Sequence, residues 1–307
     1  MSAVSAILSD QFVSASNNLR VMNSISEIPR PDIVINMCCN VDCPYAPYKF
    51  KEYRRFEDQL KKSDEEFIKT AKTSDGINGR GVCWMSARVI DKPDLFKIVD
   101  ESTYDTYYGC DQNWYATEWQ RRSGCGPSVA SNIIFYLNHT RPAFKLGQYL
   151  NSKERWLSLM EEIWEYVTPS QEGIPTTKMF YEAVITYAES KGLNVSYDFC
   201  DVPKDKSVSP PLSEILDFLE RALTNDAPVA FLNLCNGAEN NLDRWHWVTI
   251  IALEYTEGGN SIFIDILDEG IIKRIDLALW YNTTILGGGF VYFSLLKDDK
   301  KNCRQII

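Results

Sequence analysis

From residue 228 to residue 296 the chain is a near-continuous series of short runs rich in Val, Ile, Phe and Tyr, and this feature limits the fold more than any other. The runs 228–234, 245–254, 261–268, 271–276 and 289–296 have strand length and strand composition, and Gly258-Gly259 and Glu269-Gly270 stand between neighbours as turns. Upstream the period changes. Residues 128–138 set Val129, Ala130, Ile133, Ile134 and Leu137 at the one-sided spacing of a helix packed on a core. Two further helices are expected at 153–167 and 177–191, the second opened by Thr176 or Thr177 and closed by Gly192. A fourth, about 213–224, starts at Ser213 after a proline pair and stops before Pro228. Helices first and antiparallel strands second give an α+β fold, a helical layer packed on an antiparallel sheet with a cleft between them.

The first hundred residues read differently. Residues 1–30 are Ser- and Asn-rich, Pro29 and Pro31 precede a strand-like run from Ile33 to Met37, and a helix is expected from Glu52 to about Ala71, followed by a loop from Thr73 to Gly81. This sets a division into an N-terminal segment, 1–100, serving as a lid, a propeptide-like element or a cleft wall, and a main domain, 101–307. No internal repeat is visible.

Charge and cysteine content narrow the function. With 32 Lys+Arg against 42 Asp+Glu the formal charge is −10, and no basic stretch offers a nucleic-acid-binding face. No run is long and apolar enough to span a bilayer, and the start of the sequence lacks a secretory pattern, so a cytoplasmic location without membrane contact is expected. The triplets beginning at Asn138, Asn194 and Asn282 are then not glycosylation sites. Nine cysteines, an odd number at irregular spacing, point to free thiols in a reducing compartment. Cys38, Cys39, Cys43 and the distant Cys83 lack a paired Cys-x-x-Cys spacing and a nearby histidine, so no metal or other cofactor is expected.

One of the thiols is set apart. Ser123-Gly124-Cys125-Gly126-Pro127-Ser128 places a cysteine between glycines where an irregular stretch becomes the apolar helix. The positive end of the helix dipole and the unpaired N–H groups of the first turn favour an anion there, and Pro127 loses nothing at a position whose N–H has no partner. A nucleophilic thiol needs a base, and the chain contains only two histidines. His139 follows the far end of the same helix, roughly 20 Å away at ~1.5 Å per residue. His246, in Arg244-Trp245-His246-Trp247-Val248-Thr249, opens an apolar strand and is the candidate. An aspartate of the next strand, Asp268 or Asp265, would orient its imidazole. The backbone N–H of Cys125 and a side-chain amide, with Gln120 the nearest upstream, would stabilise an oxyanion.

These residues resemble papain-like cysteine peptidases, in particular the bacterial branch related to the double-glycine leader peptidases that process bacteriocin precursors. The resemblance is carried by Cys-Gly-Pro-Ser at 125–128, His-Trp-Val-Thr at 246–249, the Asp-Glu-Gly strand end at 268–270 with Lys273-Arg274-Ile275-Asp276 after it, and the segment 173–192 beside the cleft. It covers roughly 105–296 and implies Cys125 as nucleophile, His246 as base, Asp268 or Asp265 as orienter, and Gln120 as oxyanion residue. It further implies a peptide or protein substrate and a thioester intermediate. An acyltransferase would use the same residues with an amine in place of water. A catalytically silent peptide-binding module on the same fold is the reading outside enzymology, and a metal protein built on the N-terminal cysteines is a third.

Overall fold

The protein is described by a computed structural model, which covers residues 85–141, 152–256 and 261–295. The expected elements at 33–37, 52–71 and 73–81, the Gly258-Gly259 turn, and Cys38, Cys39, Cys43 and Cys83 lie outside the described residues.

The strand-rich second half forms a seven-stranded antiparallel sheet. Its members are β1 (Met85–Val89), β4 (Val195–Val202), β5 (Val229–Asn233), β6 (His246–Thr256), β7 (Ile262–Asp268), β8 (Ile271–Asp276) and β9 (Gly288–Leu295), in the order β4-β9-β5-β6-β7-β8 with β1 also on β6. A two-stranded ribbon, β2 (Lys97–Val99) and β3 (Thr106–Tyr108), lies beside it, tied by the Tyr108 N–H to the Gly270 carbonyl at 2.7 Å. β6 is the axis of the sheet. Its first half pairs with β5, its second half with β1, and β7 runs along its other side. His246 through Leu253 are buried without interruption, which accounts for a strand that is apolar on both faces.

The helices are α1 (Glu118–Ser123), α2 (Cys125–Thr140), α3 (Lys153–Trp164), α4 (Thr177–Ser190), α5 (Leu212–Thr224) and α6 (Leu277–Thr283). The expected one-sided α2 is in fact covered nearly all round: every residue from Gly126 to Leu137 is buried. Two of its polar side chains, Ser131 and Asn132, are accordingly paired inside the core. Asn132 accepts from the Cys110 N–H at 2.9 Å and donates to Thr249 Oγ1 at 3.0 Å, and Ser131 Oγ donates to the Pro127 carbonyl at 2.8 Å.

The α+β arrangement of a helical layer and an antiparallel sheet is present, with three differences from the sequence reading. β1 and β4 come from upstream of the strand-rich region, so the segregation is incomplete. The 277–283 stretch is helical, started by Asp276, whose carboxylate accepts from the Leu279 N–H at 2.8 Å. α5 begins at Leu212 with Pro211 as its N-cap, not at Ser213. α4 keeps the expected ends: Thr176 Oγ1 accepts from the Met179 N–H at 3.1 Å and Gly192 has a left-handed φ of 69°. Among the described residues no helix is long and apolar enough to cross a membrane.

Candidate active site

Cys125 is the first residue of α2, and the turn before it is built tightly. Thr117 caps α1 with its hydroxyl on the Gln120 N–H at 3.2 Å, Gln120 Oε1 reaches back to the Thr117 N–H at 3.2 Å, and Gly124 then joins α1 to α2. A Cβ at position 124 would lie 2.5 Å from the Gln120 carbonyl and 2.7 Å from the Tyr115 ring. Gly124→Ala should therefore destabilise the protein by about 1–3 kcal/mol in denaturant titration, because a backbone carbonyl and a buried ring must both shift.

His246 is the first residue of β6, and Trp245 before it takes φ 54°, a left-handed conformation costly for a tryptophan, so the chain turns sharply as it enters the strand. The imidazole is buried, at 7% exposure, and its Nε2 lies 2.6 Å from Asp268 Oδ1. The second oxygen of Asp268 accepts from Lys273 Nζ at 2.6 Å. A hairpin of two linking residues sets this geometry. Asp268 ends β7, Ile271 opposite it starts β8, and Glu269 and Gly270 between them both have positive φ, 49° and 74°. Glycine is required at the second position, since a Cβ there would meet the Tyr107 ring at 2.8 Å.

Asp268 engages Nε2 and leaves the other ring nitrogen open, and Cys125 is close enough to act on the charge of the imidazole. Cys125, His246 and Asp268 line one small cavity together with Gln112, Ser128 and Trp247. Trp247 is locked by its Nε1–H on the Ile174 carbonyl at 2.8 Å and by stacking on Phe180 at 4.3 Å. Burial alone would lower the proton affinity of His246, but the charge and hydrogen bond of Asp268, and Cys125 beyond them, outweigh it and hold the imidazole well above its ordinary pKa. Burial acts in the opposite sense on Asp268, and there His246 and Lys273 outweigh it and hold the carboxyl well below the usual carboxylate range.

The other expected residues are placed elsewhere. Asp265 sits an odd number of positions from Asp268 on the same strand and so faces away from His246. It lies opposite Arg274, 3.8 Å from Nη1, and burial pushes its carboxyl up to about 6. Gln120 does not line the cavity. Its amide oxygen belongs to the α1 cap, and its Nε2 donates to Glu161 at 2.7 Å. The Thr-x-x-Gln spacing at 117–120 is a helix-capping signature, which is the physical reason for this correction. His139 is at the far end of α2, with Nδ1 2.8 Å from the Phe135 carbonyl.

Gln112 takes the place at the cavity that Gln120 was expected to hold. It opens a 3-10 turn, Gln112–Trp114, started by Asp111, whose carboxylate accepts from the Asn113 N–H at 2.8 Å. Its side chain is buried at 9% exposure, and the amide oxygen has no hydrogen-bond partner among the described residues. The Asp-x-Asn turn is readable in the sequence, but the approach of Gln112 to Cys125 depends on the Asn132–Cys110 tether across the core.

Ligand atoms of Asp243, His246 and Asp268 lie within 4.8 Å of one another, a grouping compatible with a cation. A metal there would have to displace the imidazole from Asp268 Oδ1 and compete with the Lys273 ammonium on Oδ2. Lys273 is the cation that the fold itself supplies to this carboxylate.

No family model matches the chain, and no curated protein matches it. Among solved structures, one described as "Crystal structure of UfSP from C.elegans" is a distant, partial match, with a TM-score of 0.40 and 11% identity over 73% of this chain. The matched region spans 36% of that chain, about a third of its length.

Proposed function

We propose that the protein is a papain-like cysteine-dependent hydrolase that cleaves an amide-type bond in a peptide or protein through a thioester on Cys125. The observation that carries this reading is a buried imidazole paired with a carboxylate, whose second oxygen is neutralised by a lysine, on the same cavity as a thiol at a helix N-terminus. In this reading the proton of Cys125 rests on His246, and the thiolate attacks the substrate carbonyl carbon. The oxyanion is met by the Cys125 backbone N–H and the Gln112 amide. His246 then delivers the proton to the leaving amine, the C–N bond breaks and the thioester remains. Water, deprotonated by His246, attacks the thioester, and the C–S bond breaks to release the acid and restore the thiol. An amine in place of water would make the same site an acyltransferase.

An activated p-nitrophenyl ester tests the proposal. A burst of p-nitrophenol equal to the protein concentration, with an acyl adduct mapped to Cys125 and absent in Cys125→Ala, is the expected result. An adduct elsewhere, or none, contradicts it. Gln112→Ala should lower kcat/KM by about 10²-fold, the usual loss for one oxyanion donor, while leaving alkylation of Cys125 by iodoacetamide nearly unchanged because that reaction develops no oxyanion.

A further inference from the structure

The carboxylates around the imidazole outnumber their cations. Asp268 is matched by Lys273 at 2.6 Å, but the side chains of Asp243 and Glu269 make no hydrogen bond or ion pair among the described residues. Asp243 places an oxygen within 4.8 Å of the His246 and Asp268 ligand atoms, and Glu269 lines the cavity beside Cys125. Asp111 stands on the other flank, its Cβ 3.4 Å from where a Cβ on Gly270 would be. The Glu269 carboxyl is pushed up by burial, then by Asp268 and Asp243, against the opposing pull of Lys273 and His246. Asp111 is pushed up by burial and then by Asp268, against its hydrogen bonds from Asn113 and the pull of Lys153. Carboxylates at this spot thus remain in excess of the cations that face them. An independent acceptor aimed at the same place is Gln112, nine-tenths buried on the cavity that Glu269 lines, with its amide oxygen unpartnered among the described residues.

The position of this charge relative to the chemistry is informative. The imidazole must stand next to the leaving amine in order to protonate it, so groups clustered beyond His246 face the leaving-group side of the scissile bond. We propose that the Asp243–Glu269 surface selects substrates carrying a Lys or Arg side chain immediately after the scissile bond. This rests on Cys125 and His246 being the reacting pair.

A pair of thiol reagents that differ only in charge reads the local potential without any substrate. The Cys125 thiolate displaces methanesulfinate from a methanethiosulfonate and forms a mixed disulfide with the remainder. Rates are measured by mass spectrometry on the Cys125 peptide of the intact 307-residue chain. The rate with the trimethylammonium-ethyl reagent over that with the sulfonatoethyl reagent, divided by the same ratio on a free small thiol, should be about tenfold or more at low ionic strength. That normalised ratio should fall towards one in 1 M salt and in Asp243→Asn and Glu269→Gln, made separately so that a folding defect in one does not remove the test. A normalised ratio of one or below overturns the proposal while leaving the nucleophile in place. Reaction of Cys125 with neither reagent removes the nucleophile, and the substrate preference with it. A peptide mixture then addresses the side of the bond. Enrichment of Lys and Arg after the cleaved positions supports the assignment, and cleavage without that enrichment overturns it.

Discussion

His246→Ala should lower acyl transfer to Cys125 by about 10²–10⁴-fold, the range that a positioned general acid and base supplies. No other group can take its place, since the second histidine of the chain is at the opposite end of α2 against the Phe135 carbonyl. Asp268→Asn should cost less, about 10–10²-fold, with a distinct signature. The amide still accepts from Nε2–H, but the negative charge that offsets burial is gone, and the Lys273 ammonium is left close to the ring. His246 then loses its proton at lower pH than in the parent, and the alkaline edge of the rate profile moves down. The same couplings bear on stability. The His246 contribution is fully present below pH 6.5 and fades as pH rises through its raised value; the Asp268 contribution is present above pH 3.8 and is lost as pH falls through its lowered value. Rates of p-nitrophenol release from pH 4 to 10 in the three proteins check the ordering.

The largest loss of stability is expected from Trp280→Ala, about 3–5 kcal/mol in urea titration. Trp280 is fully buried, meets Phe231 edge-on at 4.8 Å and Phe290 at 5.9 Å, and donates from Nε1 to Asn233 Oδ1 at 2.7 Å. Asn233 pairs with His246 in the sheet, and its Nδ2 donates to the Asp243 carbonyl. The indole thus supports the strand end from which the imidazole projects. Trp280→Phe separates the two roles. It keeps most of the apolar contact but strands the Asn233 acceptor, a loss of about 1–3 kcal/mol, and the strain falls on the segment leading into His246.

What the sequence revealed depended on how far each feature rests on its neighbours in the chain. β5, β6, β7 and β9 were legible to within one or two residues because central strands are apolar on both faces, and the edge strand β8 because the Glu269-Gly270 turn marks its start. β4 was not, because as an edge strand it alternates exposed Tyr197 and Phe199 with half-buried or polar positions and carries Asp198 and Asp201. α6 was lost among strands because seven residues, Leu-Ala-Leu-Trp-Tyr-Asn-Thr, show too little helical period. The grouping of Cys125, His246 and Asp268 was legible because each sits at the end of an element, where local signals are strongest: glycines and proline around the thiol, the strand entry at Trp245-His246, and the Glu269-Gly270 turn. Closeness in sequence points to Gln120, whereas the Asn132–Cys110 tether decides which amide reaches the cavity.

The proposed chemistry turns on a single imidazole between the helix thiol and the strand carboxylate. With only two histidines in the chain, an NMR titration of the ring resonances resolves His246 directly, before and after alkylation of Cys125 with iodoacetamide. The expected result is a His246 midpoint well above 6.5 in the free protein that falls once the sulfur is capped. A midpoint near the ordinary value that is unmoved by alkylation would contradict it.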